Sequence, residues 1–385
     1  MSQQITDVRH MAQAIGLARR GLCTTAPNPR VGCVIAQGER VIASGFHRRA
    51  GQAHAEVEAL RAAREPVRGA TAYVTLEPCS HHGRTPPCAD ALIDAGVARV
   101  VSASLDPNPL VAGSGLERRR AAGIAVESGI LEREAGALNP GFFKRMRTGM
   151  PWVRVKLAMS LDGRTAMADG SSKWITAAAA RADVQRLRAR SCAIVTGVGT
   201  VLHDDPRLDV RIATDEGVTP GRQPVRVVVD SQLRMPPSAR VIGAAGDTLV
   251  ATAGRDAARA QALADAGVTL LHLPAPDGRV DLRALLAHLA VAQCNEVLIE
   301  AGATLAGAAL RAGLVDELII YMAPTLMGSA ARPLLDLPFA SMDEKLGLQI
   351  SDITAVGSDW RITAVPVSKF CPTEPAHGRP RPGAA

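Results

Sequence analysis

The sequence predicts an α/β protein with two domains. Its 385 residues exceed the length of a typical domain, which is about 100–200 residues. Apolar segments typical of strands alternate with amphipathic segments typical of helices, the pattern of layered α/β domains. Runs such as VRVVVD (225–230) are apolar on both faces, which indicates strands covered by helices on both sides.

The first half begins with an amphipathic helix, since Val8, Met11 and Ile15 recur at helical spacing. A hairpin around Gly38 is predicted next, because two apolar runs flank that glycine. The predicted helices of this half are 8–20, 55–64, 88–95 and 114–122, and the predicted strands are 33–36, 41–46, 72–76, 99–103 and 124–128.

The alternation stops at RMRTGMP (145–151), which is basic, contains Gly and Pro, and shows little periodicity. We therefore predict one domain over 1–147, a second over 148–367, and a flexible Pro- and Gly-rich tail over 368–385. Helices of the second domain are predicted at 177–188, 256–266, 281–292 and 303–312, and strands at 152–159, 192–197, 225–230, 248–252, 269–273, 296–300 and 317–323.

Composition excludes several classes of protein. Apolar residues make up 47% and charged residues 21%, which argues against a disordered or fibrous chain. The N-terminal segment has an acid at Asp7 and no apolar core, so a signal peptide is not expected, and no apolar run is long enough for a membrane helix. A cytoplasmic location is the default expectation.

The charge is concentrated in the first half. Residues 1–150 hold 19 Lys and Arg against 13 Asp and Glu, whereas residues 151–365 hold 22 against 23. Either these arginines are solvated surface groups or the first half binds an anionic small substrate. Aromatic residues are only 3% of the chain, so the stacking side chains of a single-strand nucleic-acid binder are scarce.

Seven cysteines at irregular spacing do not suggest a disulfide framework in a chain without a secretory signal. Cys79 and Cys88 stand out because other metal-ligand types accompany them. His54 lies 25 residues before Cys79, and Glu56 follows that histidine by two positions. One imidazole and two thiolates leave the fourth position of a tetrahedral zinc open for water, as catalytic zinc requires.

Zinc lowers the pKa of that water towards neutrality, and Glu56 can move its proton to a leaving amine. This is the logic of zinc nucleobase deaminases, whose signature is His-x-Glu with Pro-Cys-x-x-Cys. Here eight residues, not two, separate the cysteines, and His81 and His82 lie between them. Two alternatives stay open: inert buried cysteines, or a structural zinc that uses His81 or His82 as a fourth ligand.

The long insert EPCSHHGRTPPC (77–88) resembles the deaminase domain of the bifunctional riboflavin biosynthesis protein family. The stretches NPRVG (28–32), GFH (45–47) and DPNP (106–109) agree with it. The resemblance implies a cytidine-deaminase-like three-layer domain that removes the 2-amino group of a diaminopyrimidinone carrying a ribosylamino 5′-phosphate. It implies zinc ligands His54, Cys79 and Cys88, the proton shuttle Glu56, and substrate contacts at Asn28, His47, Arg84 and Asn108.

The second half has no Gly-x-Gly-x-x-Gly after its first strand, so a Rossmann dinucleotide site is disfavoured. Two glycine-bearing turns follow strands, TGVGT (196–200) and EAGATLAG (300–307). The second would place backbone N–H groups and a helix N-terminus beside a phosphate, although such junctions are as often purely structural. Asp204 and Asp205 precede Pro206, and their alternative to a role in ligand binding is to cap a turn.

KLAMSLDGR (156–164), SKWI (172–175) and DDP (204–206) resemble the reductase domain of the same family in order and spacing. The resemblance covers about residues 5–365 and implies a dihydrofolate-reductase-like domain that uses NADPH. It implies cofactor contacts at Ala158 through its backbone, Trp174, Thr200, Asp204, Ser231, Gly302, Ala303, Thr304, Leu305, Ala306, Gly307 and Ala308. It implies substrate contacts at Ser172, Arg188, Leu208, Arg211 and Glu300.

Four residues of this half also have a physical interpretation. Arg188 and Arg211 are suited to clamp the ribose 5′-phosphate, because guanidinium groups pair well with phosphate oxygens. Trp174 has the alternative role of a core aromatic. Lys156 is a candidate proton donor or ligand for a substrate oxygen, with a solvated strand lysine as the alternative.

The resulting hypothesis is a bifunctional zinc hydrolase and NADPH-dependent oxidoreductase of riboflavin biosynthesis. It deaminates 2,5-diamino-6-(5-phosphoribosylamino)pyrimidin-4(3H)-one and reduces the ribosyl group, which gives 5-amino-6-(5-phosphoribitylamino)uracil. We expect no nucleic-acid or membrane partner, and a homo-oligomer, dimer or tetramer. The rivals are a nucleoside or tRNA deaminase with an unrelated second domain, and a regulatory nucleic-acid-binding protein on a retained enzyme scaffold.

Overall fold

The computed structural model describes residues 2–79, 87–107, 120, 122–212 and 222–367. Within them, the chain forms two compact units. Unit 1 contains the described residues up to Arg154 together with Arg181–Gly302, and unit 2 contains Val155–Ala180 and the described residues from Ala303 onward. The expected domain of residues 1–147 thus shares unit 1 with the central part of the second expected domain.

The helices and strands follow in chain order. The α-helices are α1 Gln3–Ala18, α2 Ala55–Ala62, α3 Cys88–Asp94, α4 Glu132–Gly136, α5 Pro140–Thr148, α6 Ala178–Arg190, α7 Val198–Asp204, α8 Ala257–Asp265, α9 Leu282–Val291 and α10 Ala303–Arg311. The strands are β1 Gly32–Gln37, β2 Arg40–Phe46, β3 Thr71–Val74, β4 Arg99–Ser102, β5 Ala125–Ser128, β6 Trp152–Ser160, β7 Arg164–Ala166, β8 Ala193–Gly197, β9 Val225–Val229, β10 Thr248–Thr252, β11 Thr269–His272, β12 Glu296–Glu300, β13 Glu317–Ala323, β14 Arg332–Pro333, β15 Gly347–Val356 and β16 Asp359–Val367.

The first sheet of unit 1 has the order β2-β1-β3-β4-β5 and carries helices on both faces. Alternate residues of β1 point to opposite faces, as the period of a strand requires. Cys33 and Ile35 pack with Ala59 of α2 in one core cluster, and Val34 packs with Met11 of α1 in the other. This is a three-layer arrangement, with α2 and α3 on one face.

The other strands of unit 1 are parallel, in the order β11-β10-β9-β8-β12. Because parallel strands point the same way, their carboxyl ends share one edge of the sheet, where ligands of such sheets bind. In unit 2, β6, β13, β16 and β15 are neighbours in that order, and β13, β16 and β15 are antiparallel.

Most of the predicted strands are confirmed to within one or two residues, and those at 248–252, 296–300 and 317–323 match throughout. Most of the predicted helix 114–122, and the tail 368–385, lie outside the described residues. The segment 145–151 differs from expectation, because α5 extends through Thr148. Pro140 opens this helix and Gly149, with a φ of 68°, ends it.

The sequence pattern missed α4, α5, α7, β7, β14, β15 and β16. β15 and β16 were missed because they bury few side chains; eight of the ten β15 residues are exposed, which leaves no apolar alternation to detect.

Among the described residues, no helix is both long and apolar enough to cross a membrane.

Candidate active sites

His54, Cys79 and Cys88 converge in unit 1, as the sequence predicts. Nδ1 of His54 lies 3.6 Å from Sγ of Cys79 and 3.3 Å from Sγ of Cys88. Tetrahedral zinc, with a sulfur bond of about 2.3 Å and a nitrogen bond of about 2.0 Å, separates those atoms by about 3.5 Å. The three ligand atoms all lie within 4.8 Å of one another, so the donor set fits a zinc ion in kind and in spacing.

Local structure explains this convergence. His54 immediately precedes α2 and Cys88 is the first residue of α3, so two helix N-termini point at the site. The backbone N–H of Cys88 donates to Sγ of Cys79 at 3.4 Å, which ties the two cysteine segments together. Helix N-termini favour negative charge, and thiolates are the form that binds metal.

The protonation of the two thiols is coupled. The hydrogen bond from Cys88 lowers the pKa of the Cys79 thiol to about 4, and the same bond together with burial raises the pKa of Cys88. The hydrogen bond with Cys79 also raises the pKa of His54. Because metal ions bind thiolates and neutral imidazole, protons held by these groups leave when a metal ion binds.

Glu56 is only 3% exposed and lies in the first turn of α2. Its carboxylate contributes to raising the pKa values of Cys88 and His54, which places it beside the ligands. It is not one of the three residues whose donor atoms form the metal-ligating group. A buried carboxylate next to the ligands of a metal ion is suited to move protons.

Asn28 and His47 lie together beside the ligand set. Nδ2 of Asn28 is 3.1 Å from Nε2 of His47, and Nδ1 of His47 is 3.0 Å from the carbonyl oxygen of Ala53. The carbonyl can only accept, so Nδ1 carries the proton and Nε2 accepts from Asn28. The rings of His47 and His54 meet edge to face, with centroids 5.3 Å apart. Burial lowers the pKa of His47, in keeping with a neutral ring.

Arg84, Asn108 and the histidines at 81 and 82 lie outside the described residues. Sequence reasoning missed Glu77, which is 3% exposed and accepts from the backbone N–H of Asp106 at 3.3 Å. Its own backbone N–H donates to the carbonyl oxygen of Ser104 at 2.9 Å. Glu77 therefore holds the loop after β4 next to the Cys79 segment, and its position beside Pro78 in the motif was the only signal.

The predicted reductase contacts of unit 1 include a bidentate ion pair. Nε and Nη2 of Arg188 donate to the two carboxylate oxygens of Glu300 at 2.6 and 2.9 Å, and Nη1 donates to the carbonyl oxygen of Asp209 at 3.3 Å. Both side chains are largely buried. The Arg188 charge is thus balanced within the protein, whereas a phosphate clamp requires excess positive charge.

Asp209, which sequence reasoning missed, organises the other arginines of this loop. Its carboxylate lies 3.3 Å from Nη1 of Arg211 and 3.0 Å from Nε of Arg207. The Arg211 side chain remains 58% exposed and is therefore the accessible cation of the two predicted clamp residues. The Leu208 side chain is buried, so only the backbone of this residue is available to a ligand. The backbone has a φ of 54°, in the left-handed region.

The predicted cofactor contacts of unit 1 follow the carboxyl ends of parallel strands. Thr200 follows β8, Ser231 follows β9 and Gly302 follows β12, so these positions share one sheet edge. Thr196, the residue before Gly197, is fully buried, and its hydroxyl has no hydrogen-bond partner among the described residues. This unpaired donor, with open space at Gly302, fits a polar ligand such as a dinucleotide. Asp204 ends α7.

In unit 2, Lys156 and Ala158 lie on one face of β6, two residues apart. Trp174 is 71% exposed, so the alternative of a core aromatic is wrong, and Ser172 lies two residues before it. The segment Ala303–Ala308 opens α10, but Ala306 and Gly307 are buried. A Cβ on Gly307 would lie 2.3 Å from the carbonyl oxygen of Asp336, so this glycine permits close packing, and Thr304 is the more accessible position.

Comparison with known proteins places both halves of the chain in known families. Residues 4–104 match the cytidine and deoxycytidylate deaminase zinc-binding region, and residues 151–362 match the RibD C-terminal domain. The chain is 52% identical to the riboflavin biosynthesis protein RibD of Escherichia coli (strain K12) over 92% of its own length and 97% of that protein. It is 45% identical to the Haemophilus influenzae protein of the same name, over 94% and 97%.

Solved structures agree. An Acinetobacter baumannii RibD matches with a TM-score of 0.88 at 49% identity, covering 95% of this chain and all of that one. The Thermotoga maritima diaminohydroxyphosphoribosylaminopyrimidine deaminase/5-amino-6-(5-phosphoribosylamino)uracil reductase matches with a TM-score of 0.85 at 31% identity over the same shares. The predicted fold, a cytidine-deaminase-like region followed by a dihydrofolate-reductase-like one, is confirmed.

Proposed function

Since the chain belongs to the family of RibD riboflavin biosynthesis proteins, we propose which of its residues carry out each of its two reactions. The protein is a bifunctional enzyme of riboflavin biosynthesis, with a zinc-dependent deaminase and an NADPH-dependent reductase. The alternative of a nucleoside or tRNA deaminase with an unrelated second domain is set aside, because full-length relatives contain both parts. We place the deaminase at 1–147 and the reductase at 148–367.

In the deaminase, His54, Cys79 and Cys88 would hold the zinc ion, which when bound would activate a water molecule near neutral pH. Glu56 takes the proton of the attacking water and delivers it to the 2-amino group of the pyrimidinone as that group leaves as ammonia. The carbon exchanges its C–N bond for a C–O bond and becomes a carbonyl. The single observation that carries this proposal is the convergence of three donor atoms within 4.8 Å of one another, with Glu56 buried beside them.

Asn28 and His47 orient the pyrimidinone ring. Asn28 retains a carbonyl oxygen and a second N–H after its bond to His47, so it can read the donor and acceptor groups of the ring edge. Arg84 and Asn108 are the further substrate contacts that the family resemblance implies. Arg84 is suited to bind the 5′-phosphate, since a guanidinium can donate two parallel hydrogen bonds to phosphate oxygens.

In the reductase, the substrate gains a hydride at the ribose C1′ and a proton on the ring oxygen, which opens the ring to a ribityl chain. Of the residues that we assign to NADPH binding, Thr200, Asp204, Ser231 and Gly302 lie in unit 1, where they follow β8, β9 and β12, and Ala158, Trp174 and Ala303–Ala308 lie in unit 2. Ser172, Arg188, Leu208, Arg211 and Glu300 bind the substrate. Holding donor and acceptor carbons together is the main contribution of the protein to hydride transfer.

Individual roles follow from the contacts. Glu300, held by Arg188, presents a carboxylate that can accept from substrate hydroxyls, and the exposed Arg211 pairs with the 5′-phosphate. Lys156 protonates or holds a substrate oxygen. We further propose a cytoplasmic homo-oligomer, dimer or tetramer, that binds no nucleic acid, because aromatic residues make up only 3% of the chain.

The experiment is metal analysis of the purified full-length protein coupled to both half-reactions. One zinc per chain, ammonia release from the diamino substrate and NADPH oxidation on the deaminated substrate are expected. A protein that contains no zinc, or is inert in both steps, overturns the proposal. A protein that turns over cytidine or tRNA but not the diamino substrate would favour the rival deaminase.

A further inference from the structure

The segment that carries Asn28 is anchored by residues about 265 positions later in the chain. Nδ2 of Asn295 donates to the carbonyl oxygen of Pro27 at 2.8 Å, and Nη1 of Arg30 donates to the carboxylate of Glu296. Asn295 immediately precedes β12 and Glu296 is its first residue, and both lie within the match to the RibD C-terminal domain. All of these residues belong to unit 1.

Glu296 is completely buried and faces three arginines. Arg30 and Arg154 donate to its carboxylate, and Nε of Arg190 lies 3.2 Å from Oε2. Burial by itself would raise the pKa of Glu296, but the charges of the three arginines lower it well below the usual value. The carboxylate is therefore ionised, and its charge stabilises the buried guanidinium of Arg30.

Arg30 is held at both its side chain and its backbone. Its guanidinium also donates to the carbonyl oxygens of Leu138 at 2.8 Å and Leu22 at 3.1 Å. Its backbone N–H donates to Oδ1 of Asn139 at 2.8 Å, and its carbonyl oxygen accepts from Nδ2 of Asn139 at 2.9 Å. Arg30 is thus fixed by residues of its own part of the chain as well as by Glu296, and Pro27, on the other side of Asn28, is fixed by Asn295.

Asn28 transmits this anchoring to the deaminase centre. Its Nδ2 contacts Nε2 of His47, and His47 meets the zinc-ligand ring of His54 edge to face. Neither Asn295 nor Glu296 belongs to the group of metal-ligating residues. A shift of the 27–30 segment would therefore move Asn28 relative to the imidazole ring of His54 and leave the metal ligands in place.

We propose that Asn295 and Glu296, which belong to the reductase part of the sequence, are positioning residues of the deaminase. Through Pro27 and Arg30 they set the position of Asn28 and His47 against the pyrimidinone ring. The two activities are then structurally linked, because Asn295 and Glu296 help to position the deaminase site. The inference rests on the proposed role of Asn28 and His47 as substrate contacts.

The test is Asn295→Asp in the full-length enzyme. In the wild type, Nε of Arg145 donates to Oδ1 of Asn295 at 2.6 Å, and the carboxylate of the variant can still accept this hydrogen bond. The variant lacks the N–H that donates to Pro27, and it places a carboxylate oxygen against the carbonyl oxygen of Pro27. The loss of one hydrogen bond together with a repulsive oxygen–oxygen contact corresponds to a change of about tenfold in an equilibrium constant. We expect the KM of deamination to rise by about tenfold with a smaller loss of kcat.

Two further readouts separate positioning from a merely structural role. Zinc content should stay at one per chain, and kcat and KM for reduction of the deaminated substrate should stay within about twofold. Gln293→Asn is the matched control, because Gln293 lies in the same turn with an exposed side chain and a φ of 63° that asparagine tolerates. It should leave both activities unchanged.

If Asn295→Asp is not recovered as folded protein, Arg30→Lys provides the same test, since lysine keeps the charge but not the forked donor geometry. Unchanged deamination in the folded variant, or a parallel loss of both activities, overturns the inference. A wild-type enzyme that releases no ammonia overturns the proposed function first, so the two failures are distinguishable.

Discussion

The side-chain amide of Asn28 lies 3.1 Å from Nε2 of His47, whose other ring nitrogen donates to the carbonyl oxygen of Ala53. This chain of contacts leaves His47 in one tautomer and orients Asn28 towards the ligand set at His54. Asn28→Ala should therefore raise the KM of deamination by about tenfold, because a partly buried polar pair loses one member. Steady-state kinetics at a fixed zinc content measure it; an unchanged KM would show that Asn28 does not touch the substrate.

Glu56→Gln should abolish deamination and retain zinc. The amide cannot accept the proton of water, and general acid–base catalysis contributes about 10²–10⁴ in rate. NADPH-dependent reduction of the pre-deaminated substrate should survive, because Glu56 lies in the first turn of α2, beside the deaminase ligands. Ammonia release, NADPH oxidation and metal content check the three statements.

Glu58→Gln is the matched control for that variant. Glu58 lies on the same helix and pairs only with the exposed side chains of Arg48 and Arg61 among the ion pairs of the described residues. It should behave as wild type. Loss of reduction in Glu56→Gln would contradict independent catalytic centres.

Removal of zinc with a chelator should eliminate deamination and spare reduction. Within the described part of the chain, the metal-ligating group is His54, Cys79 and Cys88, and added zinc should restore ammonia release. Cys88→Ser should reproduce the chelator effect, whereas Cys23→Ser, outside the ligand set, should keep zinc. Deamination that persists in metal-free protein would rule out the zinc mechanism.

Arg188→Lys should lower the kcat/KM of reduction by about 10- to 100-fold with deamination unchanged. Lysine cannot make the two parallel bonds to Glu300, and charge-assisted bonds of this kind contribute about 1.5–3 kcal/mol. Arg186→Lys, on the same helix with a side chain 70% exposed, is the control. Equal kinetics of the Arg188 and Arg186 variants would remove the ion pair from the reductase mechanism.

Asp7 should make the deaminase region sensitive to acid. It accepts from Arg99 at 2.8 and 2.7 Å and from Tyr73 at 2.7 Å, and although burial opposes the shift, these bonds lower its pKa from 3.8 to about 2. A lowered folded-state pKa contributes stability that is fully present above about pH 4 and is lost as the pH falls towards 2.

The difference in the free energy of unfolding between wild type and Asp7→Asn should therefore shrink across that window. Denaturant unfolding at pH 2, 3, 4 and 7 measures it, with the exposed Asp94→Asn as the control. A difference that does not depend on pH would show that the carboxylate charge of Asp7 is not the stabilising group.

The ligand residues were predictable from sequence because catalytic zinc accepts few residue types, and these stand at the starts of α2 and α3 next to a glutamate. The buried strands were predictable because burial on both faces produces continuous apolar runs. Exposed strands such as β15 carry no such pattern, so they appeared only in the structure.

By itself, then, the sequence predicted the two-part α/β architecture and the candidate zinc ligands with Glu56, since each depends on local chemistry or on a period along the chain, and its resemblance to a known family implied the order of the two activities. Only the tertiary structure decided that Glu300 balances the charge of Arg188, that Trp174 is exposed, and that Glu296 holds Arg30 beside Asn28. The reason is physical. A buried charge is stabilised by whichever group folding brings within a few ångströms, and a partner 266 residues away leaves no trace in the local pattern.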